Sequence, residues 1–120
     1  MKPTMSDVVI WHNPKCSTSR RVLDTIRERG IEPQVVEYAK TPPSQAELKA
    51  VLRETGLTAR ELLRRRGSPY DELGLDDPAL TDAQLIAAMA EHPLLIERPV
   101  VRTNKGTRLC RPAERVLDVL

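Results

Sequence analysis

Four consecutive apolar residues, Val8-Val9-Ile10-Trp11, are followed by His12-Asn13-Pro14, and this pattern predicts a short buried strand ended by turn chemistry and a missing ladder donor. Apolar residues then recur at Val22, Leu23 and Ile26, the spacing of one helix face, until Gly30 supplies a stop. Gln34 to Tyr38 reads as a second strand, so the chain opens as β-α-β with the two strands parallel and the crossover right-handed. Ser44-Gln45-Ala46-Glu47 is a capping box, and the helix it opens carries Leu48, Val51 and Leu52 up to Gly56. Thr58-Ala59-Arg60-Glu61 repeats the signature, predicting a helix through Leu62, Leu63 and the arginines 64–66 before Gly67. Thr81-Asp82-Ala83-Gln84 opens a third helix, with Leu85, Ile86 and Met89 on its apolar face, ending at His92-Pro93. Residues 99–103 and 107–111 flank Asn104-Lys105-Gly106 and read as a β-hairpin, and Pro112 starts a last helix carrying Val116, Leu117 and Leu120.

The order is therefore β-α-β, helices, β-β-α. That is the order of an α/β thioredoxin/glutaredoxin-like three-layer fold with a mixed four-stranded sheet and a helical insertion. One domain over 1–120 is expected, its core at about 7–40 and 97–120 and the insertion at about 44–96.

Composition changes this picture mainly by exclusion. At 40% hydrophobic and 30% charged residues the chain is too apolar to stay disordered. Aromatics make up 2% with no Phe, so the stacking platforms of single-strand nucleic-acid binding are missing, and no nucleic acid is expected as a partner. The net charge of +2 decides little. The first residues, MKPTMSD, lack the apolar stretch of a secretory leader, and no apolar run approaches the roughly 20 residues of a membrane span. The expectation is a cytoplasmic protein with no membrane partner, whose two cysteines, Cys16 and Cys110, are reduced.

Cys16 stands at or just before the first turn of the first helix, where unpaired backbone N–H groups and the helix dipole stabilise an anion. Such a position lowers a thiol pKa and also binds oxyanions, so nucleophile and anion cradle would share one loop. Lys15, Arg20 and His12 are candidate cations, and Ser17, Thr18 and Ser19 are candidate donors to the thiolate or to an anion. The alternative for Cys16, a small buried hydrophobe, fits poorly with polar neighbours on both sides. A phosphatase loop would need Arg six residues after the cysteine, where Val22 stands, and a two-thiol motif would need Cys at Ser19. No zinc-ligand spacing occurs, so no metal is expected.

Taken together, "HNPKCSTSR", "TPPS", "ELLRRRGSPYDELGL", "HPLLIERPVV" and "GTRLCRP" resemble the glutaredoxin-coupled arsenate reductase family over nearly the whole chain. The resemblance implies a thioredoxin-like fold with a helical insertion. It implies that Cys16 attacks arsenate, that His12 assists the thiolate, and that Arg64, Arg98 and Arg111 bind the anion. Glutathione as co-substrate would then displace arsenite and leave a mixed disulfide for glutaredoxin to reduce, with no bound cofactor. Cys110 would be a packed core residue, and Pro99 would fall where such folds carry a cis proline. Cys16-Ser17-Thr18-Ser19 in place of Cys-Gly-Thr-Ser, and a chain stopping soon after "RPAERVLDVL", resemble the family's short relatives. Two further functions stay open: a glutathione-dependent thiol oxidoreductase of another substrate, and a redox-responsive transcription regulator binding RNA polymerase.

Overall fold

The structure is a computed structural model that describes residues 7–120; Met1 to Ser6, most of the stretch read above for a leader, lie outside the described residues. Two compact units are present, one made of the described residues up to Thr41 together with Arg98–Leu120, the other of Pro42–Glu97.

The first unit holds the sheet. Strand β1 (Val9–His12) pairs in parallel with β2 (Gln34–Glu37) and antiparallel with β3 (Val100–Thr103), which pairs antiparallel with β4 (Gly106–Leu109). The strand order is β2-β1-β3-β4, a mixed four-stranded sheet with the thioredoxin-like arrangement expected from the sequence. Helix α1 (Ser17–Glu28) is the crossover between the parallel strands. Its apolar stripe of Val22, Leu23 and Ile26 is buried with Ile10 and Val101 of the sheet and with Ala113, Val116 and Val119 near the C-terminus. Alternation along a strand places Ile10 on this face and Trp11 on the other, and both are buried. Removing a side chain such as Ile26, which has no exposed surface, costs about 2–5 kcal/mol in a core of this kind.

The C-terminal segment Ala113–Asp118 is a 3-10 helix, where the hydrophobic spacing had suggested an ordinary helix. Six residues capped by Pro112, with Arg115 N–H bonded to Pro112 C=O and Val119 N–H to Val116 C=O, keep the tighter winding that short pieces tolerate. The peptide bonds before Pro99 and Pro112 are both cis.

The second unit is helical. Helix α2 (Gln45–Thr55) starts at a complete Ser44/Glu47 capping box and ends at Gly56 with φ +76, a left-handed cap. Helix α4 (Asp82–Glu91) starts at the Thr81/Gln84 box. Leu48, Val51, Leu62, Leu85, Met89 and Leu95 are fully or almost fully buried. Helix α3 (Ala59–Leu62) also has its box but stops after four residues, short of the arginines that the sequence had assigned to it. Leu63 turns extended and bridges Ile96, with Arg64 N–H donating to Leu95 C=O at 2.7 Å and Glu97 N–H to Leu62 C=O at 2.8 Å. Pairing with the 95–97 segment captures the backbone groups that a longer helix would have used.

Candidate active site

His12 ends β1 and Cys16 is the N-cap of α1, so three residues, Asn13 to Lys15, make the whole turn between strand and helix. The turn is closed by its own backbone. Cys16 N–H donates to Asn13 C=O at 3.0 Å, Lys15 N–H to Asn13 Oδ1 at 2.9 Å, and Arg20 N–H to Cys16 C=O at 3.0 Å. Proline supplies the fixed φ that such a turn favours, and asparagine the side-chain acceptor.

Cys16 has an extended backbone (φ −95, ψ 121) and makes no side-chain cap bond, which leaves the N–H groups of the first turn for its sulfur or for a ligand. Burial pushes the thiol pKa up, but the Ser19 N–H, the Arg98 guanidinium and the Thr18 N–H outweigh it, so the pKa lies below that of an ordinary cysteine. Arg111 adds a second cation, its Nη1 3.8 Å from Cys16 Sγ and 3.2 Å from the Arg98 carbonyl oxygen that it also donates to. Arg98 and Arg111 precede the two cis prolines, at the start and at the far side of the β3-β4 hairpin. Cys110 N–H, beside Arg111, donates to Pro99 C=O at 2.9 Å, which ties these two ends to each other.

His12 and Ser19 form the floor of the turn. Ser19 is fully buried, its Oγ 2.6 Å from His12 Nδ1 and accepting the Asn13 N–H at 3.1 Å. The sequence had offered His12 as a cation near the thiolate. Instead, burial above all, with Arg27 and Arg20 adding to it against Glu37, holds its pKa below the ordinary value, so the imidazole is neutral at pH 7. A ring with 6% exposure inside the fold loses too much hydration to carry charge cheaply. Its recorded hydrogen bond is to Ser19, and through Ser19 it fixes the first turn of α1. Arg20, another candidate cation, donates from Nη1 to Pro14 C=O at 2.9 Å and braces the same turn.

Arg64 belongs to the helical unit. Its Nη1 pairs with Glu97 Oε1 at 2.7 Å and its Nε donates to Arg66 C=O at 2.9 Å, both side chains of the pair being largely buried. Arg65 pairs with Asp71 at 2.6 Å and lies over the Tyr70 ring at 5.1 Å, largely exposed, as befits a surface arginine. Cys110 is sealed in the core, its Sγ directed at the Arg108 carbonyl oxygen at 3.6 Å, and burial in first place, then Asp118, pushes its thiol up to about 12. Both cysteines are free.

Tyr38 is the site residue that sequence reading missed. It follows β2, has no exposed surface, and its hydroxyl faces Arg98 and Asn13 closely enough to feel the charge of Cys16; burial is the main reason its pKa is raised. Its only sequence signal was a polar-tipped aromatic at the carboxyl end of a strand parallel to the one that leads to Cys16.

Comparison with known proteins agrees with this geometry. An arsenate reductase of Rhizobium meliloti (strain 1021) is 58% identical over 113 residues, 94% of this chain and 81% of the relative. One from Escherichia coli is 53% identical over 116 residues, 97% of this chain and 82% of the relative. The structure of an arsenate reductase from Vibrio cholerae superposes with a TM-score of 0.90 at 50% identity, covering 94% of this chain and 97% of that one. The family model described as "ArsC family" matches residues 11–119, from the strand that leads to Cys16 to the end of the last helix, and the chain belongs to the ArsC family.

Proposed function

We propose that this protein reduces arsenate to arsenite, with Cys16 as nucleophile and glutathione and glutaredoxin as the source of electrons. The observation that carries the reading is one sulfur at a helix N-cap with guanidinium groups of both Arg98 and Arg111 turned to it. The relatives named arsenate reductase support the choice of oxyanion.

The Cys16 thiolate attacks As(V); a sulfur–arsenic bond forms and one arsenate oxygen leaves as water after protonation, with no change in oxidation state. A glutathione thiolate then attacks Cys16 Sγ. The electron pair of the sulfur–arsenic bond departs with arsenic, which becomes As(III) and leaves as arsenite, while the two sulfurs are left oxidised as a Cys16–glutathione disulfide. A glutaredoxin thiol takes over the glutathione by exchange and Cys16 is free again.

Arg98 and Arg111 bind the dianion through charge-assisted hydrogen bonds and hold the thiolate in its reactive form. The N–H groups of the first turn, Ser17 to Ser19, receive oxygens of the bound anion. His12 works through Ser19 as a positioning residue, and Arg20 keeps the turn closed. This chemistry needs a glutathione-reduced compartment such as the cytoplasm. Among the described residues no helix is long and apolar enough to cross a membrane.

The test is NADPH consumption in a mixture of the protein, arsenate, glutathione, glutaredoxin and glutathione reductase. Arsenate-dependent consumption that vanishes in Cys16→Ser is expected. Arg98→Ala and Arg111→Ala should each lower kcat/KM for arsenate about 10- to 100-fold, the worth of a hydrogen bond to a charged group, while Arg66→Ala stays close to wild type. No arsenate-dependent turnover by a protein whose Cys16 alkylates readily would overturn the reading in favour of a thiol oxidoreductase acting on another substrate.

A further inference from the structure

A cleft of about 580 Å³ begins where Cys16 ends. Its walls include Ser17 and Thr18, which follow the nucleophile, and Arg111, whose Nη1 reaches the sulfur. They also include Arg21, one turn into α1, and Glu114, in the 3-10 helix. A tetrahedral oxyanion has the bulk of only four oxygens, about 120 Å³ if each takes the roughly 30 Å³ of a water. The cleft is far larger and falls in the range of about 300–1,000 Å³ that holds small organic ligands.

Its charges point the same way. A site made for a dianion alone would carry cations only, yet Glu114 puts a carboxylate in the wall. Among the described residues neither Arg21 nor Glu114 is in an ion pair, and they do not pair with each other. One unpaired cation and one unpaired anion along a cleft suit a ligand with a carboxylate at one end and an ammonium at the other.

We propose that this cleft is the subsite of the thiol co-substrate, with Arg21 receiving a terminal carboxylate of glutathione, Glu114 its free ammonium, and the thiol delivered beside Cys16. The assignment rests on Cys16 being the thiol-exchanging nucleophile proposed above, and it adds two residues, Arg21 and Glu114, to that reaction. Arg111 stands at the meeting point, facing the oxyanion on the Cys16 side and the tripeptide on the other.

The test compares two disulfides as probes of reduced Cys16, glutathione disulfide and the uncharged bis(2-hydroxyethyl) disulfide. In each case the Cys16 thiolate attacks one sulfur, a mixed disulfide forms and the other half leaves as a thiolate, followed by mass spectrometry. The ratio of the two rates cancels any change in the thiol itself. Arg21→Ala and Glu114→Gln should each lower that ratio about three- to fivefold, the size of one exposed ion pair, and Arg115→Ala, on the same 3-10 helix but outside the cleft wall, should leave it within about 1.5-fold. A ratio unchanged in both cleft variants overturns the subsite; so does an equal fall in Arg115→Ala, which would mean general charge attraction. In the arsenate assay KM for glutathione should rise by a similar factor while KM for arsenate does not. Absence of arsenate turnover in the wild type would count against the oxyanion and not against the cleft, because the disulfide ratio is read without arsenate.

Discussion

Ser19→Ala removes a single oxygen, and two buried groups depend on it. Asn13 N–H loses its acceptor at 3.1 Å and His12 Nδ1 loses its partner at 2.6 Å, in a place where Ser19 has no exposed surface. A buried polar group left without a partner costs about 1–3 kcal/mol, so the two together put the loss at about 2–4 kcal/mol once partial relaxation is allowed for. With a urea m-value of about 2 kcal/mol/M for a domain of this size, the midpoint should fall by about 1–2 M. Urea unfolding followed by Trp11 fluorescence measures it, Trp11 being buried in β1. Because both residues act through one contact, the double variant with His12→Ala should be less destabilised than the sum, with a coupling of at least about 0.5 kcal/mol. A loss below about 1 kcal/mol, or strict additivity, would refute the claim that this hydrogen bond holds the turn.

Three other outcomes follow from groups described above. Alkylation of Cys16 by iodoacetamide should show a midpoint below that of free cysteine, and Arg98→Ala should move it upward, since one of the groups that offset burial is then gone. Since the folded pKa is depressed, the thiolate contributes stability that is complete above the unfolded thiol's pKa and is lost as pH falls through the folded one, a slope that Cys16→Ser should remove. Cys110 has the opposite sign: raised to about 12, it favours the fold below the unfolded thiol's pKa and this advantage is lost as pH rises towards 12, so Cys110→Ala should flatten the alkaline decline, and a thiol reagent should count one fast site in native protein and two after unfolding. Gly56→Ala should cost about 1–2 kcal/mol in thermal unfolding, all of it backbone, because a Cβ there meets nothing within 4 Å while φ stays at +76.

Local signals were the legible ones. All three capping boxes, Ser44/Glu47, Thr58/Glu61 and Thr81/Gln84, form as read, because each depends on residues three apart. The position of Cys16 was legible for the same reason, Asn13-Pro14 stopping a strand just before a helical stripe. What the sequence did not show is set by distant partners. Helix α3 stops at Leu62 because residues 95–97 take up the backbone groups of 62–64, and nothing near Leu63 announces that. His12 was read from its distance to Cys16 along the chain, whereas its charge state is decided by how deeply the fold buries it and its partner by α1 winding Ser19 back under the strand. Tyr38 went unnoticed because only the parallel pairing of β1 with β2 brings the end of one strand beside the end of the other.

The hydrogen bond between Arg111 and Cys16 spans 95 positions of sequence. During synthesis, therefore, the sulfur leaves the ribosome long before the cations that sharpen it. Until Arg111 has been made, the nascent chain holds the sulfur without the second of its two cations, and the reagent is fully armed only once that residue has joined the fold.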